Sequence, residues 1–227
     1  MKWNKRFNYP RTVRSLEDGI RKYDINNEKL PSVTSVLSAT KSQEELASLE
    51  LWRQRVGAVN ANKIKKDAST RGSALHAYVE DWLRGRINDS FFESAEQYKS
   101  MANQIIKNGI KGRLTEIWGV ECNLYYPQKF GGQADIIGIY DNVETIIDLK
   151  QANKPKKESF IQDYFLQVAA YSLAHNFVYK TQISQGVILM CTVDNFYQEF
   201  KIQNDVLEMY QNLFLGRLKK FYELNSN

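Results

Sequence analysis

Apolar residues recur at helical spacing through much of the first half of the chain. Residues 43–67 predict a long helix whose apolar stripe is formed by Leu46, Leu49, Trp52, Val56 and Val59. A second helix is predicted over Ser73–Leu83, with an apolar face formed by Leu75, Val79, Trp82 and Leu83. A third is predicted over 94–111. A short segment over 31–39 precedes all three, with Ser32 or Thr34 as its N-cap.

The pattern then changes to β-branched and aromatic runs separated by turn residues. The predicted strands are 116–126, 133–140, 143–149, 185–193 and 196–202. Gly131-Gly132 bounds one strand as a turn signal, and Asp141-Asn142 predicts a tight hairpin loop. Helices are expected over 159–177 and 205–223. This order predicts a mixed α/β (α+β) domain, in which helices flank one central mixed sheet and the N-terminal region is helical.

The length of 227 residues suits one domain that buries a sizeable core. We divide it into a basic N-terminal arm, a mainly helical part, a sheet core with one helix, and a C-terminal helix, at 1–30, 31–112, 113–202 and 203–227. With 43% hydrophobic residues, 4 Pro and 12 Gly, the composition excludes collagen and low-complexity disorder. Cys122 and Cys191 lie in apolar contexts and are expected to be buried thiols. No apolar run approaches 18 residues, so we expect a soluble, intracellular protein without membrane contact.

Positive charge is concentrated at the N-terminus. Residues 1–66 contain 14 basic and 7 acidic residues, whereas 67–227 contain 17 and 19. The first 15 residues interleave basic side chains with Trp3, Phe7 and Tyr9. Such a segment suits a phosphate backbone and unstacked bases. The alternative is a solvated tail or a targeting remnant, which is the commoner meaning of a short basic run.

One strand carries two charged residues on one face. Alternation along 143–149 directs Ile147 and Leu149 one way and Ile146, Asp148 and Lys150 the other. Asp135 lies on the neighbouring predicted strand, and a buried carboxylate needs a cation or a metal nearby. Two such carboxylates form an oxygen-ligand site suited to Mg²⁺ or Mn²⁺. Taken alone, an Asp-x-Lys pair is more often a surface ion pair or a strand end.

Four further polar residues are candidates. His76 shares a helix face with Glu80, and a simple ion pair between them is an equally good explanation. Gln167 and Tyr171 lie one helical turn apart and could hold a phosphate oxygen or a water, although core packing is the default for Tyr171. The other histidine, at position 175, is expected to pack in the core.

Five short motifs occur in a characteristic order: RGSALH (71–76), VE (120–121), GGQAD (131–135), IIDLK (146–150) and QVAAY (167–171). Together they resemble the PD-(D/E)xK nuclease superfamily in its RecB-like branch. PSVTSVL (31–37) and DLKQANKPK (148–156) make the chain similar to the mitochondrial genome maintenance exonuclease family and its phage relatives. The resemblance covers about residues 30–175 and implies a restriction-endonuclease-like core.

The resemblance also implies roles for individual residues. It gives His76, Asp135 and Asp148 as metal ligands, together with the Leu149 carbonyl, for one or two Mg²⁺ or Mn²⁺ ions. Lys150 would act on the attacking water or on the charge at phosphorus. Gln167 and Tyr171 would line the site, with Glu121 and Glu80 as ancillary groups; for Glu121 the alternative is an outward-facing strand residue. The expected DNA contacts are Ser32, Thr34, Arg71, Ser73 and Lys154.

The family implies a metal-dependent deoxyribonuclease that hydrolyses phosphodiester bonds at the ends of single-stranded DNA, in replication, repair, recombination or phage DNA processing. We expect a monomer, with replication or recombination proteins as further partners, in the cytoplasm of a bacterial host if phage-encoded or in mitochondria if eukaryotic. The family's PD is Ala134-Asp135 here, and the cysteines of the iron–sulfur relatives are missing, so no such cluster is expected. The alternatives are a catalytically silent nucleic-acid-binding protein of the same fold and a structure-specific endonuclease.

Overall fold

Six strands form a mixed central sheet in the computed structural model of the chain, which describes residues 1–87 and 96–225. The strands are β1 (Lys2–Trp3), β2 (Val13–Glu17), β3 (Ile20–Ile25), β4 (Glu28–Pro31), β5 (Leu114–Tyr126), β6 (Phe130–Tyr140), β7 (Val143–Ala152), β8 (Gln185–Thr192) and β9 (Tyr197–Gln203). The helices are α1 (Val33–Ala39), α2 (Gln43–Val56), α3 (Ala58–Leu83), α4 (Gln97–Ile105), α5 (Gln162–Tyr179) and α6 (Asn204–Leu224). The order across the central sheet is β1-β5-β6-β7-β8-β9.

Helices cover both faces of this sheet. Strands β5, β6 and β7 are antiparallel neighbours, whereas β7 and β8 are parallel and are joined through α5, because parallel strands need a crossover connection. One core lies between the sheet and helices α3 and α4, and the other lies between the sheet and helices α1, α5 and α6. The predicted mixed α/β class, with a central mixed sheet flanked by helices, is confirmed. The part of the chain that the structure describes contains no helix long and apolar enough to cross a membrane.

The alternation predicted for β7 is also confirmed. Ile147 and Leu149 belong to the core on the α3 side, and Ile146 belongs to the core on the α5 side. Because direction alternates along a strand, Asp148 points to the α5 side. The Asp141-Asn142 hairpin turn is present, and both residues have positive φ, as a tight two-residue loop requires.

The helical predictions for residues 43–67 were wrong in two respects. Gly57 has φ +80° and separates α2 from α3, so there is no continuous helix, and α3 extends without interruption to Leu83. The apolar stripe is exposed at both ends, since Leu46, Leu49 and Val59 are all more than half exposed, whereas Trp52 and Val56 at its centre are half-buried. The third predicted helix becomes α4 followed by a π-helical turn, Ile106–Ile110, and residues 94 and 95 lie outside the described residues.

The basic N-terminal arm is folded and is not a solvated tail. β1 pairs in parallel with β5, and β2, β3 and β4 form a separate antiparallel sheet. Phe7 and Tyr9 pack on the core, where the Phe7 ring meets Trp118 and His175 at centroid distances of 5.3 and 4.9 Å. Trp3 packs on the α3 side. The prediction that these aromatics stack on bases is therefore wrong, because their rings are used for packing.

Three buried polar or sulfur-containing groups behave as predicted. His175 is fully buried and lies between the Tyr9 hydroxyl and the Thr181 hydroxyl, at 3.0 and 2.7 Å. Burial and the nearby Arg6 lower the pKa of His175 to about 3, so the ring is neutral. Cys122 and Cys191 are buried free thiols.

Candidate active site

Three elements bring one histidine and two carboxylates together. His76 lies in α3, Glu121 in β5 and Asp135 in β6. The His76 Nδ1 atom is 3.4 Å from Asp135 Oδ1 and 3.6 Å from Glu121 Oε1. One ligand atom from each residue lies within 4.8 Å of the other two. We call these three residues the His76 cluster.

The backbone of Leu149 holds this cluster in place. The His76 Nε2 atom lies 2.8 Å from the Leu149 carbonyl, and the Leu149 amide donates to Asp135 Oδ2 at 2.6 Å. Since a carbonyl oxygen only accepts, Nε2 carries the hydrogen and Nδ1 is directed at the carboxylates. Burial acts to lower the pKa of His76, but Asp135 outweighs it and raises the pKa to about 10. A proton therefore balances the carboxylates in the free protein.

The alternative explanation of His76, an ion pair with Glu80 on the same helix, is not what the structure contains. Glu80 accepts a hydrogen bond from Arg84 Nε at 2.7 Å. The Arg84 guanidinium also donates to the carbonyl of Val120 at 3.1 Å. Glu80 is thus held away from His76 by its own helical neighbour.

Glu121 adopts an unusual backbone conformation for a strand residue. Its φ is +52°, a left-handed value that costs a residue with a Cβ about 1–2 kcal/mol. The Gln133 side chain donates to the Glu121 carbonyl at 3.1 Å and helps to hold this conformation. The side chain turns toward His76 as a result, so an outward-facing strand residue is excluded. Strained backbone of this kind concentrates at functional sites.

A second polar group lies on the α5 side of β7. Asp148 is 1% exposed, and its Oδ1 accepts from Gln167 Nε2 at 3.0 Å, while the same amide lies 3.3 Å from the Tyr171 hydroxyl. The Lys150 ammonium pairs with Asp148 Oδ2 and sits 5.0 Å above the Tyr164 ring. Burial raises the pKa of Asp148 to about 6, and the charge on Asp135 adds to the effect.

Three of the predicted metal-binding groups contact one another: His76, Asp135 and the backbone of Leu149. Glu121, predicted only as an ancillary group, is a full member of the cluster, and Asp148 is not within it. The VE motif (120–121) marked Glu121, but its direct membership of the cluster was not predicted, because it depends on the local φ of β5. Asp148 Oδ2 is buried and is partnered by the Lys150 ammonium.

The donor set fits a divalent cation. An imidazole nitrogen beside two carboxylates, with a third carboxylate on the adjacent strand, provides nitrogen and oxygen ligands of the kinds that Mg²⁺ and Mn²⁺ accept. The carboxylate of Asp148, which pairs with Lys150 through Oδ2, can provide a further oxygen ligand. The histidine is oriented by a backbone carbonyl, which is the usual arrangement for a metal-binding imidazole.

The expected DNA-contact residues are not equally accessible. Ser32 is 2% exposed and caps α1 by accepting from the Ser35 amide at 3.0 Å, so it serves the fold. Thr34 is exposed on a separate cleft beside the turn between β2 and β3. Neither residue lines the cleft that opens onto His76.

The remaining three lie closer to the site. Ser73 lines the cleft that opens onto His76. Arg71 donates to Gln151 Oε1 at 2.9 Å and to Asn153 Oδ1 at 2.5 Å, which fixes it beside the end of β7. Lys154 is exposed just beyond that strand.

The cleft above the His76 cluster has a volume of about 350 Å³. Its lining includes Arg14, Ser73, His76, Glu121 and Gln133. Arg14 comes from β2, at the other end of the chain, and sequence reasoning counted it only as part of the basic arm. No local motif marks it, because its position depends on how the N-terminal sheet packs on β6.

The chain is similar in sequence to mitochondrial genome maintenance exonucleases. It is 25% identical to mitochondrial genome maintenance exonuclease 1 of Homo sapiens over 225 residues, covering 91% of this chain and 62% of that protein. The Xenopus tropicalis protein of the same name is 27% identical over 214 residues, covering 86% of this chain and 58% of that protein. The resemblance predicted from the motifs is thereby confirmed.

These similarities leave part of the relatives unmatched, since the chain spans about three fifths of their length. No family model matches the chain. Among solved structures, an alkaline exonuclease from Laribacter hongkongensis aligns with 17% identity and a TM-score of 0.32 over 68% of this chain and 83% of that chain.

Proposed function

We propose that the protein is a metal-dependent DNA exonuclease that hydrolyses phosphodiester bonds at the ends of single-stranded DNA. The observation that carries this proposal is the His76 cluster beside the buried Asp148–Lys150 pair. Metal-ligand residues beside a half-buried ammonium on adjacent strands suit phosphodiester hydrolysis. The sequence similarity to mitochondrial genome maintenance exonucleases supports the same activity.

In this proposal His76, Glu121 and Asp135 bind one Mg²⁺ or Mn²⁺ ion, and Asp148 adds a ligand from β7. A bound divalent ion would supply Lewis-acid polarisation of the scissile phosphate and lower the pKa of water. The backbone of Leu149 orients His76 and Asp135, as the two hydrogen bonds at 2.8 and 2.6 Å describe. The metal would replace the proton that His76 carries in the free protein.

Lys150 has the role of stabilising negative charge as the phosphodiester is attacked. Burial acts to lower its pKa, but Asp148 and Asp135 raise it, so the ammonium stays charged. The Tyr164 ring and Asp148 restrict its position, which is the preorganisation that transition-state stabilisation needs. Gln167, held between Asp148 and Tyr171, fixes the carboxylate of Asp148. Arg71, Ser73 and Lys154 would contact the backbone of the DNA strand.

The experiment is cleavage of end-labelled linear and circular single strands, with Mg²⁺, Mn²⁺ or EDTA. We expect the wild type to degrade the linear strand only, and only with metal. Lys150→Ala and Asp148→Asn should each lower the rate at saturating DNA by at least about 100-fold, because both groups act in the transition state. Lys219→Ala, an exposed lysine on α6, is the matched control and should leave the rate unchanged.

The result that contradicts this assignment is a folded Lys150→Ala protein that cuts within tenfold of the wild type. Cutting of the circle would instead identify an endonuclease. Metal binding has an independent readout: Mn²⁺ should raise the melting temperature of the wild type by mass action, and His76→Ala should reduce the shift. Equal shifts in both proteins would exclude His76 as a ligand.

A further inference from the structure

Arg14 lies in the cleft above the His76 cluster, although it belongs to the separate N-terminal sheet. It stands opposite Tyr23 in the β2–β3 register, so both side chains are on one face of that sheet. The Arg14 guanidinium is 6.0 Å from the centre of the Tyr23 ring. Tyr23 is 3% exposed and packs against Gly131 of β6, which anchors this face of the small sheet on the central sheet.

The positive charge of Arg14 has no ion-pair partner among the described residues. Its side chain is exposed, and no carboxylate of residues 1–87 or 96–225 lies within 4.0 Å of it as an ion-pair partner. By contrast, Arg6 and Arg84 have carboxylate partners and Arg71 has side-chain oxygens to donate to. An arginine held beside a group of carboxylates without pairing with one of them has all five of its N–H donors available.

A second arginine extends the same face. Leu16 stands opposite Arg21 in the register, two residues beyond the Arg14–Tyr23 pair. At about 3.4 Å per strand residue, the Arg21 position is roughly 7 Å further along the sheet. Arg21 is exposed and borders the cleft that contains Thr34. Leu16, which follows Arg14 on the same face and lies opposite Arg21, is 74% exposed. Two cations beside an exposed apolar residue suit the phosphates and bases of a single strand.

We propose that this face of the N-terminal sheet binds the substrate DNA strand. Arg14 binds a backbone phosphate next to the His76 cluster, and Arg21 binds the DNA strand further from the cluster. The proposal rests on the proposed function, because it needs a nucleic-acid strand in the cleft. A guanidinium suits this role, since its planar donors match two phosphate oxygens. Arg14 also offsets the carboxylates of Glu80 and Glu121, which would otherwise repel a phosphate at the mouth of the cleft.

The test separates binding from catalysis. Binding of a fluorescein-labelled oligodeoxythymidine is measured by anisotropy in EDTA, at a series of NaCl concentrations. Arg14→Met should weaken binding about tenfold and reduce the log–log salt slope by about 0.7, the value for one phosphate contact on a single strand. Arg14→Lys should keep the slope and recover part of the affinity, because the charge remains while the planar fork is lost.

Arg11→Met is the matched control, since it removes the same charge from an exposed arginine that does not line the cleft. Its salt line should coincide with that of the wild type. With metal restored, Arg14→Met should raise KM about tenfold and change kcat by less than about threefold, because Arg14 contacts no residue of the Asp148–Lys150 pair. Melting curves of each variant verify that the small sheet is intact.

Coincident salt lines for wild type and Arg14→Met would overturn this proposal and leave the exonuclease proposal standing. An equal loss in Arg11→Met would also overturn it, because the effect would then reflect general charge. If the wild type neither binds nor cuts the single strand, both proposals fail together. If Arg14→Met unfolds, Arg14→Lys decides: wild-type affinity together with wild-type KM would exclude a bidentate phosphate contact.

Discussion

Gly132 is the residue at which the central sheet and α5 approach most closely behind the Asp148 carboxylate. A Cβ built at this position would lie 2.4 Å from Cε1 of the Tyr171 ring, and one at Gly131 would lie 3.0 Å from the Tyr23 side chain. Both glycines lie within β6, where the sequence predicted a turn. Any larger side chain at these positions would collide with Tyr171 or Tyr23. The turn prediction was therefore wrong, because the two glycines make room for packed rings and do not form a turn.

Gly132→Ala should therefore damage the site through its packing. The added methyl group must displace Tyr171, whose hydroxyl lies 3.3 Å from the Gln167 amide that orients Asp148. We expect a loss of about 1–3 kcal/mol in the free energy of unfolding, as for other overpacked cores, and about a tenfold lower rate of DNA cleavage.

Urea unfolding and cleavage assays on the same preparation measure both effects. Gly216→Ala is the control, because nothing lies within 4 Å of a Cβ there and the residue is inside α6. It should stabilise the protein by up to about 1 kcal/mol and leave cleavage unchanged. Wild-type cleavage in Gly132→Ala would show that Tyr171 does not support Asp148.

The site residues differ in how well their positions could be predicted from the sequence. The placement of Asp148 on the face opposite Leu149 followed from strand alternation alone, and the burial of His175 followed from its apolar neighbours. Glu121 was assigned only an ancillary role, because its direction depends on a left-handed φ that ordinary strand geometry does not predict. Arg14 could not be assigned, since only tertiary packing brings it to His76.

At the scale of elements, periodicity predicted each helix face but not what would cover it. The stripe on α2 has helical spacing, yet α2 buries none of its residues fully, and Trp52 and Val56 are only half-buried. The break at Gly57 was missed because one glycine inside a periodic run is compatible with a continuous helix. The strands were predicted more closely, since β-branched runs and hairpin turns are local signals.

Three sheet elements are joined by an ion network at the edge near the β6–β7 hairpin. Asp141 accepts from Arg113 at 3.0 and 2.6 Å and from Lys201 at 2.8 Å, and Arg113 also pairs with Glu199 of β9. Arg113 lowers the pKa of Asp141 from 3.8 to about 2. Because its pKa is lower in the folded state, the ionised Asp141 stabilises the fold at pH values above its ordinary pKa. This stabilisation is lost as the pH falls from about 4 toward 2.

Asp141→Asn should therefore lower the free energy of unfolding at pH 6 and reduce its dependence on pH between 4 and 2. The side chain is one third exposed, so we expect only about 1 kcal/mol after solvent screening. Urea titrations across this pH range provide the measurement, with Glu208→Gln on the exposed side of α6 as the control. An unchanged pH profile in Asp141→Asn would exclude Asp141 as a source of acid sensitivity.

At the scale of the whole molecule, the N-terminal segment connects distant parts of the fold. β1 extends the central sheet beyond β5, Phe7 and Tyr9 fill a gap beside α5, and the β2–β4 sheet then reaches the cleft. The sequence predicted a basic arm because charge is visible in composition, whereas the packing of three aromatics is not. The positive charge near the substrate therefore acts from a folded sheet and not from a tail.

This arrangement predicts that removing Phe7 affects stability more than DNA binding. Its ring lies within 5.3 Å, centroid to centroid, of Trp118, His175 and Tyr179. Phe7→Ala should cost about 2 kcal/mol in the free energy of unfolding, less than the 3–5 kcal/mol of a fully buried phenylalanine because the side chain is partly exposed. Phe160→Ala, at a ring that is 72% exposed, should cost less than about 0.5 kcal/mol. Below the melting temperature, Phe7→Ala should bind labelled oligodeoxythymidine with wild-type affinity and salt slope. A loss of affinity at unchanged stability would mean that Phe7 leaves the core to stack on a base.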